Sequence, residues 1–141
     1  MPSYDYDTSY QPPVPTAMVK ITTDLTTIIG IKVSNTVEVQ SKMIIGTEIN
    51  NSIISRDIRK SLEKKIGLKI PYGIKKVTSP SGNIQIKKLY TLKLAYQTPD
   101  LLGDDKDREF VECAKNDGIL GQDVINDFQI YLDDVQEVWS F

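Results

Sequence analysis

Short runs rich in valine, isoleucine and threonine alternate with polar breaks along most of this chain. Such runs suit a pleated, half-buried surface. They predict strands at Ala17 to Thr22, Thr27 to Val33, Thr36 to Val39 and Lys42 to Ile45, with Ser34-Asn35 as a turn. Gly46 to Asn51 is a polar loop before another short strand, Ser52-Ile53-Ile54. Leu68 to Val77 reads as extended, interrupted by Pro71 and Gly73. Ser79-Pro80-Ser81-Gly82-Asn83 is a turn signal, and Ile84, Ile86, Leu89 and Leu92 to Ala95 supply strands after it;. Together these predict a hairpin with a polar, mobile tip. Gln97 to Asp107 is a charged loop, and Phe110 to Ala114 a short strand. Gln129 to Leu132 and Gln136 to Phe141 close the chain as strands, with Asp133-Asp134 between them.

Helical spacing is clearest once. Ile58, Leu62 and Ile66 lie four residues apart, on one face of a helix over Arg56 to Ile66;. Ser55 is placed as its N-cap, and Gly67 as its stop;. Asp57 sits in the first turn and Lys64 and Lys65 in the last, as the helix dipole prefers;. Asp123 to Phe128 predicts a second, short helix after the apolar run Ile119-Leu120-Gly121. Many short strands, hairpin turns and two helices predict a mostly β fold, a small closed β-barrel. Residues 1–16, with Tyr4, Tyr6 and Tyr10 and then Pro12, Pro13 and Pro15, lack apolar periodicity. They are expected to be a flexible arm or polyprotein linker, leaving 17–141 as the domain.

Composition narrows the chemistry. A chain of 141 residues fits one domain with one core;. No apolar run approaches the ~18 residues of a membrane span, and Met1 to Thr16 has no secretory pattern;. The expectation is an intracellular or virion-associated protein that is neither secreted nor membrane-bound. A net charge of -2 disfavours a general phosphate binder;. The single Cys113 excludes an internal disulfide;. Histidine is absent, which removes the usual base of serine and cysteine triads and a common zinc ligand;. No glycine-rich phosphate loop occurs, and neither cofactor nor metal is expected;. Carboxylate chemistry, or none, remains. Asn50 formally opens a glycosylation pattern, discounted without a secretory signal.

The segment from Gly118-Ile119-Leu120-Gly121 through Asp123-Val124-Ile125-Asn126-Asp127-Phe128 to the strand ending at Asp133 resembles the C-terminal part of the retropepsins. These are the aspartic proteases of retroviruses, pararetroviruses and LTR retrotransposons. Met43-Ile44-Ile45-Gly46-Thr47-Glu48-Ile49-Asn50-Asn51-Ser52-Ile53-Ile54-Ser55 resembles their catalytic loop in place and spacing. The hairpin from Val77 to Leu89 stands where the family has its flap. The likeness covers roughly residues 17–141 and implies a retropepsin-like barrel. It departs at the centre: Gly46 stands at the catalytic Asp, Thr47 keeps the family's Thr, and Glu48 replaces Gly.

That resemblance implies a catalytically degenerate domain of a retroelement or viral polyprotein. Its role would be dimerisation, scaffolding, or holding a peptide or polyprotein partner. The flap residues would be Ser79, Ser81, Gly82 and Asn83, and a homodimer would bury Thr47, Val138, Trp139 and Phe141, although burial in the chain's own core explains the apolar end from Gln136 to Phe141 nearly as well. Asp123 and Asp133 read as helix-start and turn residues. Two alternatives stay open. One is an active aspartic-type endopeptidase with a non-standard loop through Glu48. The other is a small barrel binding single-stranded nucleic acid through Lys69, Lys75, Lys76, Lys87, Lys88 and Lys93, with Tyr72, Tyr90 and Tyr96 interleaved;.

Overall fold

A computed structural model of the chain describes residues 3–24, 36–67, 69–78, 81–95, 106–114 and 118–141. The expected strand Thr27 to Val33, its turn at Ser34-Asn35, and most of the charged loop lie outside the described residues. Ten strands and two helices are present among those described. The strands are β1 (Ser3–Asp5), β2 (Thr16–Asp24), β3 (Thr36–Ile45), β4 (Ser52–Ser55), β5 (Gly73–Thr78), β6 (Ile84–Ala95), β7 (Asp107–Cys113), β8 (Gly118–Leu120), β9 (Tyr131–Asp133) and β10 (Val138–Ser140). The helices are α1 (Arg56–Ile66) and α2 (Gln122–Phe128).

Strands β2-β3-β8-β4-β7-β6 form one sheet, and a β2–β6 pairing closes it into a six-stranded barrel. The mostly β barrel with two helices is therefore what the sequence pattern predicts. β5 hangs on the outer edge of β6. Alternation explains the lining: Ala17, Val19 and Ile21 of β2 are buried, as are Tyr90, Leu92 and Leu94 of β6;. The expected break between Thr36 to Val39 and Lys42 to Ile45 is absent. β3 runs through Gln40 and Ser41, pairing with β2 from Thr16↔Ile44 to Asp24↔Thr36. Polar residues inside a strand are tolerated where one face meets water.

α1 forms as its sequence dictates. Ser55 Oγ accepts from Ile58 N–H at 3.3 Å, and Ile58 and Leu62 are buried. Gly67 ends the helix at φ 81°, its N–H donating to Glu63 O at 2.8 Å;. Arg59 ties the helix to the barrel, with Nε donating to Glu112 Oε1 at 2.7 Å and Nη1 to Glu63 Oε1 at 2.6 Å. Burial pushes the Glu63 carboxyl up. The Ile70 N–H and the Arg59 guanidinium outweigh this and hold it below the ordinary carboxylate range;.

The N-terminal arm departs from expectation. β1 pairs with β10, which pairs with β9, making a separate three-stranded sheet. Tyr4 stacks on Trp139 with ring centroids 4.7 Å apart. Tyr6 is buried, and its hydroxyl donates to Asp134 Oδ1 at 2.7 Å. Asp7 accepts from Lys42 Nζ at 2.7 Å, and Pro15 O accepts from Ile45 N–H at 2.9 Å. Residues 3–16 therefore lie along the domain. Their aromatic residues replace the aliphatic periodicity that a sequence scan looks for.

The centre of the fold is the insertion of β8 between β3 and β4. β8 runs parallel to β3, from Met43↔Gly118 to Ile45↔Leu120, and antiparallel to β4 at Ile53↔Ile119. Gly121 follows, with no room for a side chain. A Cβ there would lie 3.0 Å from the backbone of both Ile49 and Asn51. Gly121→Ala is expected to push the 49–51 loop outward and destabilise the fold by about 1–3 kcal/mol, in the range of overpacked sites. Urea unfolding checks this; unchanged stability would show that the loop yields freely.

Candidate functional site

The loop joining β3 to β4 carries Gly46, Thr47 and Glu48. Gly46 N–H donates to Leu120 O at 2.9 Å, so the loop leaves β3 as a continuation of the β3–β8 ladder. Thr47 and Glu48 are exposed. Thr47 O accepts from Gln122 Nε2 at 2.6 Å. Two backbone bonds seat the loop on the start of α2: Gln122 N–H to Ile49 O at 2.9 Å and Asp123 N–H to Asn50 O at 3.2 Å.

A polar lock holds the loop's far end. Ser52 is fully buried; its hydroxyl donates to Asp123 Oδ1 at 2.9 Å and accepts from Gly121 N–H at 3.0 Å. Asp123 thus anchors the loop at the helix start, where its carboxylate also suits the helix dipole;. Sequence reading placed Asp123 at the helix start but missed Ser52 as its partner. The only signal was a serine opening an otherwise apolar strand.

Gly46 stands where the resemblance puts a catalytic aspartate. A Cβ there would meet Ile119 Cγ2 at 2.7 Å. The space that a side chain would leave by is filled, so an aspartate at this position requires Ile119 to move.

The loop divides two clefts. One, of about 540 Å³, lies between Glu48, Ile49, Asn50 and Asn51 on one side and Lys75, Lys76, Val77 and Thr78 of β5 on the other. Ile53 and Val111 also line it. Four consecutive residues of β5 border this cleft, although alternate side chains of a strand point to opposite faces. The strand therefore presents its edge to the cleft, and among the described residues β5 pairs only with β6. Lys75 Nζ donates across the cleft to Asn51 Oδ1. The other cleft, of about 750 Å³, lies under the arm between Pro12 to Pro15 and the Gly46 to Ile49 stretch.

The expected flap residues Ser81, Gly82 and Asn83 form the exposed tip of the β5–β6 hairpin, with Gly82 at φ 86°. Ser79 lies outside the described residues. Of the expected dimer residues, Trp139 is 2% exposed and packed in the chain's own core, while Val138 and Phe141 are half-buried. The face that Trp139 was expected to offer a second subunit is covered by Tyr4. The interleaved tyrosines also separate: Tyr90 is buried, Tyr72 is exposed beneath Lys88, and Tyr96 lies outside the described residues. A stacking platform of three aromatics does not form among the described residues. Cys113 is half-buried and free. Among the described residues, no group of three or more His, Cys, Asp or Glu is placed to hold a metal, and no helix is long and apolar enough to cross a membrane.

No protein-family model matches this chain, and none of the curated proteins does.

Burial and the bond to Asp134 push the Tyr6 phenol well above its ordinary value;. A group with a raised folded pKa contributes stability that is full below its unfolded pKa, about 10 for Tyr, and lost as pH rises through the folded value. Burial raises Tyr90 as well. In an alkaline absorbance titration, Tyr6 is expected to ionise late and together with loss of the arm's contacts. The late component should shrink in Tyr6→Phe; an unchanged curve would place Tyr6 in water.

Proposed function

We propose that this chain is a catalytically degenerate retropepsin-like domain of a retroelement or viral polyprotein, which holds an extended peptide of a partner between its β3–β4 loop and its β5–β6 hairpin. One observation carries the reading: β8 lies between β3 and β4, and the loop joining those two strands lies across a cleft from a Gly-tipped hairpin. The Gly-Thr-Glu stretch lies in that loop, and a loop facing a hairpin across a cleft supports the reading drawn from the resemblance.

The chemistry argues against hydrolysis. An aspartic protease needs two carboxylates sharing one proton, one acting as base toward water and the other as acid. Gly46 supplies neither. Glu48 is exposed and borders both clefts.

A cleft bordered by a strand edge still suits a ligand. An extended peptide can add to the unpaired side of β5, gaining backbone hydrogen bonds, while Ile53, Val77 and Val111 receive alternate side chains. Dimerisation is the competing role. The terminal strands, which would otherwise join two subunits, are paired within one chain, and this favours peptide binding.

Two measurements test the proposal. The folded protein is incubated with a mixed peptide library from about pH 4 to 7, the range in which carboxylate pairs work. Wild type and Glu48→Gln are compared, with and without a statine-type inhibitor. No cleavage is expected. Inhibitor-sensitive cleavage lost in Glu48→Gln would replace this reading with an active endopeptidase. Library peptides retained by wild type should be lost by Val77→Asp, a change at an exposed cleft position. Retention unchanged in that variant would move binding away from this cleft.

A further inference from the structure

Resting on the peptide-binding reading, we infer that the segment held along β5 is acidic: the hairpin edge selects an extended peptide whose carboxylates meet a lysine pair on each face of the β5–β6 ribbon.

Charge along the chain is sharply divided. From Lys64 to Pro99 there are eight lysines and no acidic residue; all nineteen acids lie elsewhere. The fold concentrates four of these lysines on one hairpin. Lys75 lies directly opposite Lys87, and Lys76 opposite Ile86, which places Lys88 diagonally across from Lys76. Side chains of directly paired residues share a face of the ribbon. One face therefore carries Lys75 and Lys87, and the other Lys76 and Lys88.

Like charges directly opposite each other destabilise a strand pair. The hairpin supplies no counter-charge. Lys75 is held by the neutral amide of Asn51, and Lys88 lies over the Tyr72 ring, 4.7 Å from its centroid. Lys76 and Lys87 make no ion pair among the described residues. Nearby Glu112 is already taken by Arg59 at 2.7 Å. Among the described residues, Glu48 is the only acid lining the cleft. A strand added to β5 brings its side chains within about 5 Å of Lys75 and Lys76, one on each face, where carboxylates offset the charge they share with Lys87 and Lys88 of the next strand;.

The same lysines choose among occupants. A second copy of β5 would set lysine against lysine, a device by which edge strands resist self-pairing. Single strands of nucleic acid are held by stacking as well as charge. Among the described tyrosines of this region, only Tyr72 is exposed, and its ring already carries Lys88. Exposed Ile74, Ile84 and Ile86 alternate with Lys76 and Lys88 on the outer face. This alternation matches a peptide strand that mixes apolar and acidic residues.

Binding is measured by fluorescence polarisation with two labelled extended peptides of one valine/threonine framework. One carries glutamate at its variable positions, the other lysine. A backbone N-methylated glutamate peptide, an oligothymidylate of equal charge, and phosphatidylserine vesicles complete the set. Wild type should prefer the glutamate peptide by about tenfold or more, with affinity falling as salt rises. Lys75→Glu/Lys76→Glu, altered only at one cleft-lining edge, should reverse the preference, and N-methylation should abolish binding. Equal binding of both peptides would overturn the charge selection while leaving the cleft reading intact. An oligothymidylate or vesicles bound as tightly as the glutamate peptide would overturn it in favour of a general polyanion surface. Binding of neither peptide, at any salt, would sink both readings.

Discussion

Everything near the cleft depends on β8 fitting between β3 and β4. The insertion leaves no room for side chains at its ends. A Cβ on Gly118 would come within 2.7 Å of Met43 Cε and 3.1 Å of Ile53 O, and one on Gly121 would strike the loop backbone. Neither glycine is there for a left-handed backbone; both are there because another chain segment passes too close. The insertion fixes where the β3–β4 loop leaves the barrel. The Ser52–Asp123 lock and the two backbone bonds from the start of α2 then hold it. Such a buried polar cluster is stable because its members satisfy one another.

A loop seated in this way becomes a rigid wall. On one side it faces the edge of β5; on the other it faces the arm. The β5–β6 hairpin is built differently. Ile74, Ile84 and Ile86 are each about two-thirds exposed or more, and β5 has a single neighbouring strand among the described residues. Few buried contacts and an open edge mark an element of low local stability. A cleft with one fixed wall and one less firmly held wall suits capture of an extended segment.

The barrel was legible in the sequence because its signals are local. β-branched runs marked β2 and β3, apolar residues from Ile84 to Ala95 marked β6, and Ser55, Ile58, Leu62, Ile66 and Gly67 specified α1 almost to the residue. Contacts between distant segments were not legible. Tyr4 and Tyr6 read as residues of a loose arm because their partners, Trp139 and Asp134, lie more than a hundred positions away. Trp139 looked available to a second subunit for the same reason. Ser52 and Asp123 were both visible, but nothing in their spacing of 71 residues joins them. The loop at Gly46-Thr47-Glu48 and the turn at Gly82 were legible as local breaks between strands. The edge-on placement of β5 follows only from which strands pair.

A glycine at position 46 and an open cleft are compatible because they draw on different parts of the loop. Carboxylate chemistry would need a group at the β3 end, where Ile119 Cγ2 now occupies the path of any Cβ. Peptide capture needs the loop's other stretch, Glu48 to Asn51, together with the edge of β5. The residues holding that stretch are Gly121, Ser52 and Asp123, and none of them depends on what stands at 46. The groove therefore does not depend on an acid at position 46. The groove's character is then set by the edge of β5, which borders it with Lys75, Lys76, Val77 and Thr78.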